Sequence, residues 1–370
     1  MALANTRDPQ ESAAQLSAWL QTKLDGATDV VVTDVETPQA SGMSNETLLF
    51  TASWTSDGAP QSRRYVARVA PTAAGVFPRY DLVAEQRVMQ ALNAHSEAPT
   101  PATPWVETDE SVLGSQFLVM ERLDGRVASD DPPFTAAGWV LDLTPEQRAS
   151  MCDNALVALA AIHKADYLEL GLGFLDRPDL GKTPLDQQIA DWTQTYDWAR
   201  EDEINPTIAA GFEWIAANRP TDEQTVLNWG DARIGNMLVA DDMTINGVLD
   251  WEMVTIGSPD QDLGWWLFLL RHHTEGIGME LPAGFPSREQ TIARYEELSG
   301  NRVENIDFYE AFAALKLSIL MHRAGNMMIA GGMLPPDAPM KFSNPASQLL
   351  AKLIGAPAPT GTSQSFIGNR

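Results

Sequence analysis

Between Val226 and Glu252 two short apolar runs frame three polar groups at fixed spacing, and this layout constrains the chain more than any other feature. Val226-Leu227 leads into Asn228-Trp229-Gly230-Asp231, four residues separate Asp231 from Asn236, and Gly247-Val248-Leu249 ends on Asp250-Trp251-Glu252. A carboxylate that accepts or orients a proton, with an amide oxygen and a second carboxylate to hold Mg2+, divides the labour of a metal-assisted site, because magnesium prefers hard oxygen ligands. Asp and Asn are also common in turns, so Asp-x4-Asn alone is a weak signal and a plain β-hairpin with surface carboxylates is the competing reading. Order, spacing and apolar framing together favour a functional site.

The 370 residues exceed the usual single-core limit, so one large two-lobed domain or two domains are expected. No apolar run is long enough to span a membrane, and the N-terminal Met1–Pro9 segment lacks a basic start with an apolar run behind it. The only cysteine, Cys152, excludes an internal disulfide. Together these features predict a cytoplasmic protein. The formal net charge of −25 disfavours sequence-independent binding to nucleic acid or an anionic membrane. Any phosphate site must therefore be made from a few local basic groups.

Asp8-Pro9 can cap and start a helix carrying Leu16, Trp19, Leu20 and Leu24 at helical spacing. Val30-Val31-Val32, Leu48–Trp54, Tyr65–Ala70 and Phe117–Glu121 read as strands, with a turn at Ser56–Pro60 and a helix over Leu82–Leu92. After Leu123-Asp124-Gly125 the chain reads as mostly helical: a long helix from Thr144-Pro145-Glu146, then segments near 184–200, 205–218, 286–299 and 306–330. The expected organisation is α+β: residues 1–121 form a small antiparallel-sheet lobe with a leading helix and one main helix, 122–354 a larger helical lobe, and 355–370 a flexible tail.

The small lobe carries supporting chemistry. Ser41-Gly42-Met43-Ser44, between strands, lets backbone N–H groups approach phosphates, although a single-glycine loop is more often just a turn. Arg68 lies mid-strand among apolar residues and needs a partner, which Glu85 of the following helix can supply. A strand cation paired with a helix glutamate holds the α- and β-phosphates in kinases; a structural ion pair is the alternative. Arg233, two residues past Asp231, is placed to steady a γ-phosphate as charge moves, or to bridge to Asp231 and hold the loop.

With these pieces assembled, the chain resembles the aminoglycoside phosphotransferase and choline-kinase-like family, a branch of the two-lobed protein-kinase-like fold. The matching landmarks run from Ser41–Glu46 through Tyr65–Arg68, Glu85, Phe117–Glu121 and Leu159–His163 to Gly230–Asn236, Val248–Glu252 and Asp260–Trp265. The later ones look like the bacterial branch also found fused to acyl-CoA dehydrogenases. The resemblance implies an ATP- or GTP-dependent transfer of the γ-phosphate to a small-molecule hydroxyl. Asp231 would be the catalytic base, Asn236 and Asp250 the Mg2+ ligands, and Arg68 with Glu85 the phosphate clamp. Met120, Glu121 and Leu123 would belong to the hinge against which adenine stacks, and Asp262 would support the catalytic loop. The family usually has histidine immediately before the Gly-Asp pair, where this chain has Trp229.

Other motifs fall away. Asp179–Thr183 ends like a P-loop, but the required first glycine is Asp176 and Pro184 follows at once. His272-His273 lacks partners at zinc-ligand spacing, and His163 reads as a satisfied helix-face histidine. Two other functions stay open: a non-catalytic nucleotide-binding regulatory module, and a kinase whose acceptor is a hydroxyacyl or other lipophilic alcohol rather than an aminoglycoside. Trp192, Trp198 and Trp214 would line such a pocket or belong to the core.

Overall fold

The computed structural model describes residues 7–38, 45–72, 75–221 and 224–363. The chain divides into two compact units, one of residues up to 94 with 100–124, the other of 95–99 with the chain from 125 onward.

In the first unit, helix α1 (Pro9–Lys23) starts where the Asp8 side chain accepts the Gln10 N–H, with Pro9 in the first turn. Strands β1 (Thr28–Glu36), β2 (Glu46–Ser56) and β3 (Ala59–Val69) are followed by helix α2 (Leu82–His95), then β4 (Trp105–Glu107) and β5 (Phe117–Glu121). The sheet runs β1-β2-β3-β5-β4 with every pair antiparallel. Asp57 and Gly58, both at positive φ, make a two-residue turn that sets Ser56 opposite Ala59. β3 is longer than its apolar stretch. Residues 59–64 are exposed and carry no large apolar side chain, and they join the sheet by pairing with β2, which apolar alternation does not reveal. The core gathers Leu16, Trp19 and Leu20 of α1 against Leu48, Phe50, Tyr65, Ala67, Phe117 and Val119. Trp19 meets the Phe117 ring edge-on at 4.8 Å, a geometry worth about 0.5–1.5 kcal/mol beyond area burial.

The second unit opens with α3 (Trp139–Asp142), α4 (Pro145–Lys164), α5 (Pro184–Ala199) and α6 (Pro206–Ala217). Four short strands follow, β6 (Val226–Asn228), β7 (Met237–Val239), β8 (Ile245–Val248) and β9 (Thr255–Gly257), pairing as β6 with β9 and β7 with β8. Helices α7 (Asp260–His272), α8 (Arg288–Ser299), α9 (Ile306–Ala330) and α10 (Pro345–Ile354) complete it. α9 is the organising element and packs against α5, α6, α7 and α10. α7 approaches it so closely that a Cβ at Gly264 would lie 2.7 Å from Tyr309. Beyond α10, the Pro359 carbonyl accepts from Gln348 and the Gly361 carbonyl from Ser343, so this part of the expected tail is hydrogen-bonded.

Candidate active site

Asp231 is presented by a turn that only glycine can make. Gly230 has φ 96°, and a Cβ there would sit 2.1 Å from the Met253 carbonyl oxygen. The turn is pinned from below by Asp262, in the first turn of α7. One Asp262 oxygen accepts the Gly230 N–H at 2.8 Å; the other accepts the Trp229 N–H at 2.6 Å and His163 Nε2 at 3.0 Å. His163 Nδ1 meets the Tyr295 hydroxyl at 2.5 Å, and Asn301 donates to that hydroxyl. Burial pushes the Tyr295 hydroxyl well above its usual range, so it stays protonated and donates to Nδ1, which fixes the histidine as the tautomer that donates from Nε2. The helix-face histidine is thus satisfied, and Asp262 holds the loop that carries Asp231 through hydrogen bonds.

The Asp231 carboxylate is held by three side chains. Trp265 Nε1 donates at 2.7 Å, Arg233 Nε reaches both oxygens at 3.1 and 3.0 Å, and Asn236 Nδ2 donates at 2.6 Å. Burial raises the Asp231 carboxyl above its ordinary range, Arg233 opposes the rise, and the charge of Asp250 adds to it. Arg233 is itself bridged to Asp130, in the loop before α3. Burial would lift Asp130 too, but Arg233 and then His273 outweigh it and hold this carboxyl low. Behind this bridge His272 is pushed down to about 3 and His273 is lowered, chiefly by burial, so both are neutral at pH 7.

Asn236 ends a 3-10 turn over Ile234–Asn236, and its carbonyl accepts the Leu249 N–H at 2.8 Å. Asp250 adopts φ 63°, a left-handed conformation uncommon outside glycine and found at strained functional positions. Trp229, wholly buried, donates its indole N–H to the Leu249 and Asp250 carbonyls at 2.9 and 3.1 Å. The tryptophan that stands where the family keeps histidine therefore ties the Asp231 loop to the Asp250 loop.

Asn236 spends its amide N–H on Asp231, so its amide oxygen is the atom that would face a metal ion. A divalent ion would also relieve the repulsion between Asp231 and Asp250. This donor set fits Mg2+, which takes one or two protein oxygens and completes its shell with phosphate and water. Among the described residues no cluster of three or more His, Cys, Asp or Glu forms an all-protein metal cage.

In the first unit Arg68 Nη1 lies 3.4 Å from Glu85 Oε2, with the side chains 11% and 2% exposed, so the expected strand–helix pair forms. Met120 is buried in β5 opposite Val66. Glu121 is exposed, with its N–H donated to the Ala102 carbonyl, and Leu123 is half-buried. Ser41, Gly42, Met43 and Ser44 lie outside the described residues. Two partners escaped the sequence reading, Asp130 on Arg233 and Trp265 as a donor to Asp231, as did Lys316 of α9, whose ammonium lies against the Trp265 ring. None sits at a motif spacing from Asp231; each arrives through tertiary packing.

Solved structures share this fold. A protein from Ralstonia eutropha provisionally assigned as an aminoglycoside phosphotransferase superposes with TM-score 0.67 at 24% identity, covering 92% of this chain and 98% of that one. A macrolide 2'-phosphotransferase type I gives 0.54 at 17% identity, covering 97% and 100%. Sequence relatives include probable acyl-CoA dehydrogenase IBR3 of Arabidopsis thaliana, 26% identical over 85% of this chain and 39% of its own length. Acyl-CoA dehydrogenase family member 11 of Rattus norvegicus is 27% identical over 85% of this chain and 40% of its own length. The chain spans about two fifths of these relatives. Residues 36–298 match the model of the phosphotransferase enzyme family, and the chain belongs to that family.

Proposed function

We propose that this phosphotransferase moves the γ-phosphate of ATP or GTP to a hydroxyl of a small molecule, with Asp231 as the proton acceptor. The observation that carries this reading is the convergence on Asp231 of Arg233, Trp265 and Asn236, which fixes the carboxylate in one orientation beside Asp250. The acceptor hydroxyl donates to Asp231, which aligns its oxygen for attack and takes the proton as the new O–P bond forms and the bond from the γ-phosphorus to the departing nucleoside diphosphate breaks. Burial raises the proton affinity of Asp231 and so favours that transfer. Arg233, already engaged by Asp130 and Asp231, acts mainly by holding Asp231 in place and adds positive charge near the transferring group. Asn236 and Asp250 would hold Mg2+, which neutralises phosphate charge when bound. In the first unit the Arg68–Glu85 pair would clamp the phosphates, Met120–Leu123 would seat the purine, and Ser41–Ser44 would cover the phosphates.

For the acceptor, aromatic side chains on the helices around Asp231 support a lipophilic hydroxy compound over a polycationic aminoglycoside. Trp265 touches Asp231 directly and Trp192 is buried nearby on α5, against the same lysine as Trp265. No described helix is long and apolar enough to cross a membrane, which is in keeping with the proposed cytoplasmic location. The test is an acceptor screen with ATP and Mg2+, read by the mass gain of one phosphate. Asp231→Asn should lower turnover by about two to four orders of magnitude while nucleotide binding persists. Full turnover in that variant would defeat the role given to Asp231; nucleotide binding without transfer to any acceptor would defeat the transfer itself and leave a regulatory nucleotide-binding module.

A further inference from the structure

Lys316, in the middle of α9, is 2% exposed. Its ammonium lies 5.1 Å from the ring centre of Trp265, 5.1 Å from Phe312 and 5.7 Å from Trp192. An apolar side chain would fill this space without the cost of taking a charge out of water. The cation is well placed to act on its neighbours instead. Aromatic faces are electron-rich and attract an ammonium at this range. The Trp265 indole that faces Lys316 donates its N–H to Asp231 at 2.7 Å. One ring thus carries a cation on its face and a carboxylate at its N–H. A cation on the face draws electron density out of the ring, which makes the N–H a stronger donor, as linked polar contacts polarise one another in a low-dielectric interior. The charges that act on Lys316 are Asp262 of α7 and Asp231. From α5 it meets the Trp192 ring, and among the described residues no charge on α5, α6 or α10 acts on it.

We infer that Lys316 is a positioning residue for the transfer reaction: its charge acts through the Trp265 ring to strengthen the N–H bond that fixes the Asp231 carboxylate. This rests on the proposed role of Asp231 and adds a residue that touches neither nucleotide nor acceptor. Burial lowers Lys316 to about 8 against the pull of the two carboxylates. A lysine is charged below its pKa, so the support given to Asp231 is largely present at pH 7 and is lost as pH rises through 8.

The experiment follows the indole N–H resonances of the full chain labelled with 15N-tryptophan, that of Trp265 being assigned by its loss in Trp265→Phe. In wild type this resonance should move upfield, as its hydrogen bond weakens, with a midpoint near pH 8. In Lys316→Met it should sit upfield at every pH, and in Lys316→Arg, which stays charged, downfield at every pH. Turnover is read as phosphate released from ATP and Mg2+ with water as the acceptor. It should fall about tenfold in Lys316→Met with nucleotide KM unchanged, and by less than about twofold when the same change is made in Trp265→Phe, where the relay is already cut. A wild-type resonance that does not titrate, or a Lys316→Met loss undiminished in the Trp265→Phe background, would overturn the inference. Asp231→Asn, run beside these, separates the two readings: wild-type turnover there would sink Asp231 as proton acceptor, whereas the link from Lys316 to the Trp265 N–H is still decided by the resonance.

Discussion

Asp262→Asn tests the architecture of the site at almost constant volume. Asp262 is wholly buried and accepts three hydrogen bonds, from Gly230 N–H on one oxygen and from Trp229 N–H and His163 Nε2 on the other. An amide keeps only one acceptor oxygen. In its better orientation it retains Trp229 and His163 and turns its NH2 on the Gly230 N–H. One buried donor is then orphaned, at about 1–3 kcal/mol, and the two remaining bonds lose their charge assistance, about 1 kcal/mol each. The expected destabilisation is ~3–5 kcal/mol. Because Gly230 adjoins Asp231, the displaced turn should also lower kcat by about a hundredfold, with nucleotide KM little changed. Asp260→Asn, one helical position pair away, is the control. Asp260 uses one oxygen for the Glu304 and Asn305 N–H groups while its other oxygen is buried without a partner. An amide can place its NH2 at the idle position, so no donor is orphaned; the two bonds lose charge assistance, at most about 2 kcal/mol, partly offset because burial already disfavours this charge, and kcat should stay intact. Urea unfolding and steady-state transfer on both variants decide the matter. If Asp262→Asn proved as mild as Asp260→Asn, the reasoning from donor counting would be wrong.

Gly230→Ala should abolish transfer, since its Cβ would meet the Met253 carbonyl and φ 96° is closed to alanine; a soluble variant with normal kcat would contradict this. Trp229→Phe keeps the packed ring and removes the indole N–H bonds to Leu249 and Asp250, so the Mg2+ concentration for half-maximal activity should rise about tenfold for a loss of about 1–1.5 kcal/mol. In the first unit, the Asp109 N–H, the Trp19 indole and Lys23 hold the Glu107 carboxyl down to about 2. Its contribution to stability is therefore present above the ordinary glutamate value of 4.5 and lost as pH falls toward 2. Glu107→Gln should remove that acid-side slope from a plot of unfolding free energy against pH.

The parts of this protein that could be read from the chain are those whose information is local. Asp231, Asn236 and Asp250 announce themselves by spacing, and Arg68 by being a charge inside an apolar strand. The Arg68–Glu85 pair required only a strand followed by a helix. Asp130 could not be found this way, because its partner Arg233 lies 103 residues on and is reached only through the folded unit. Helix α7 was equally silent. It is buried on nearly every side, so it has no polar face to generate the period that marks a surface helix. β4, at three residues, is too short for alternation to register. Lys316 sits in a helix that was expected, yet nothing in the periodicity of α9 distinguishes a lysine caged by aromatic rings from one that reaches water.

α7 also bears on how a protein of this design can change its substrate. From Asp260 to Leu269 every side chain is buried, Asp262 anchors the turn, Trp265 holds Asp231, and Gly264 lies against Tyr309. Such a helix has no spare surface on which new residues can be tried without disturbing the reaction. Variation that alters the acceptor has to arise on other elements, such as α5 and α6, whose outer faces are free to drift. If Asp231 carries the reaction as proposed, a lineage that exchanges one alcohol for another would leave α7 almost unchanged while the sequence around it drifts.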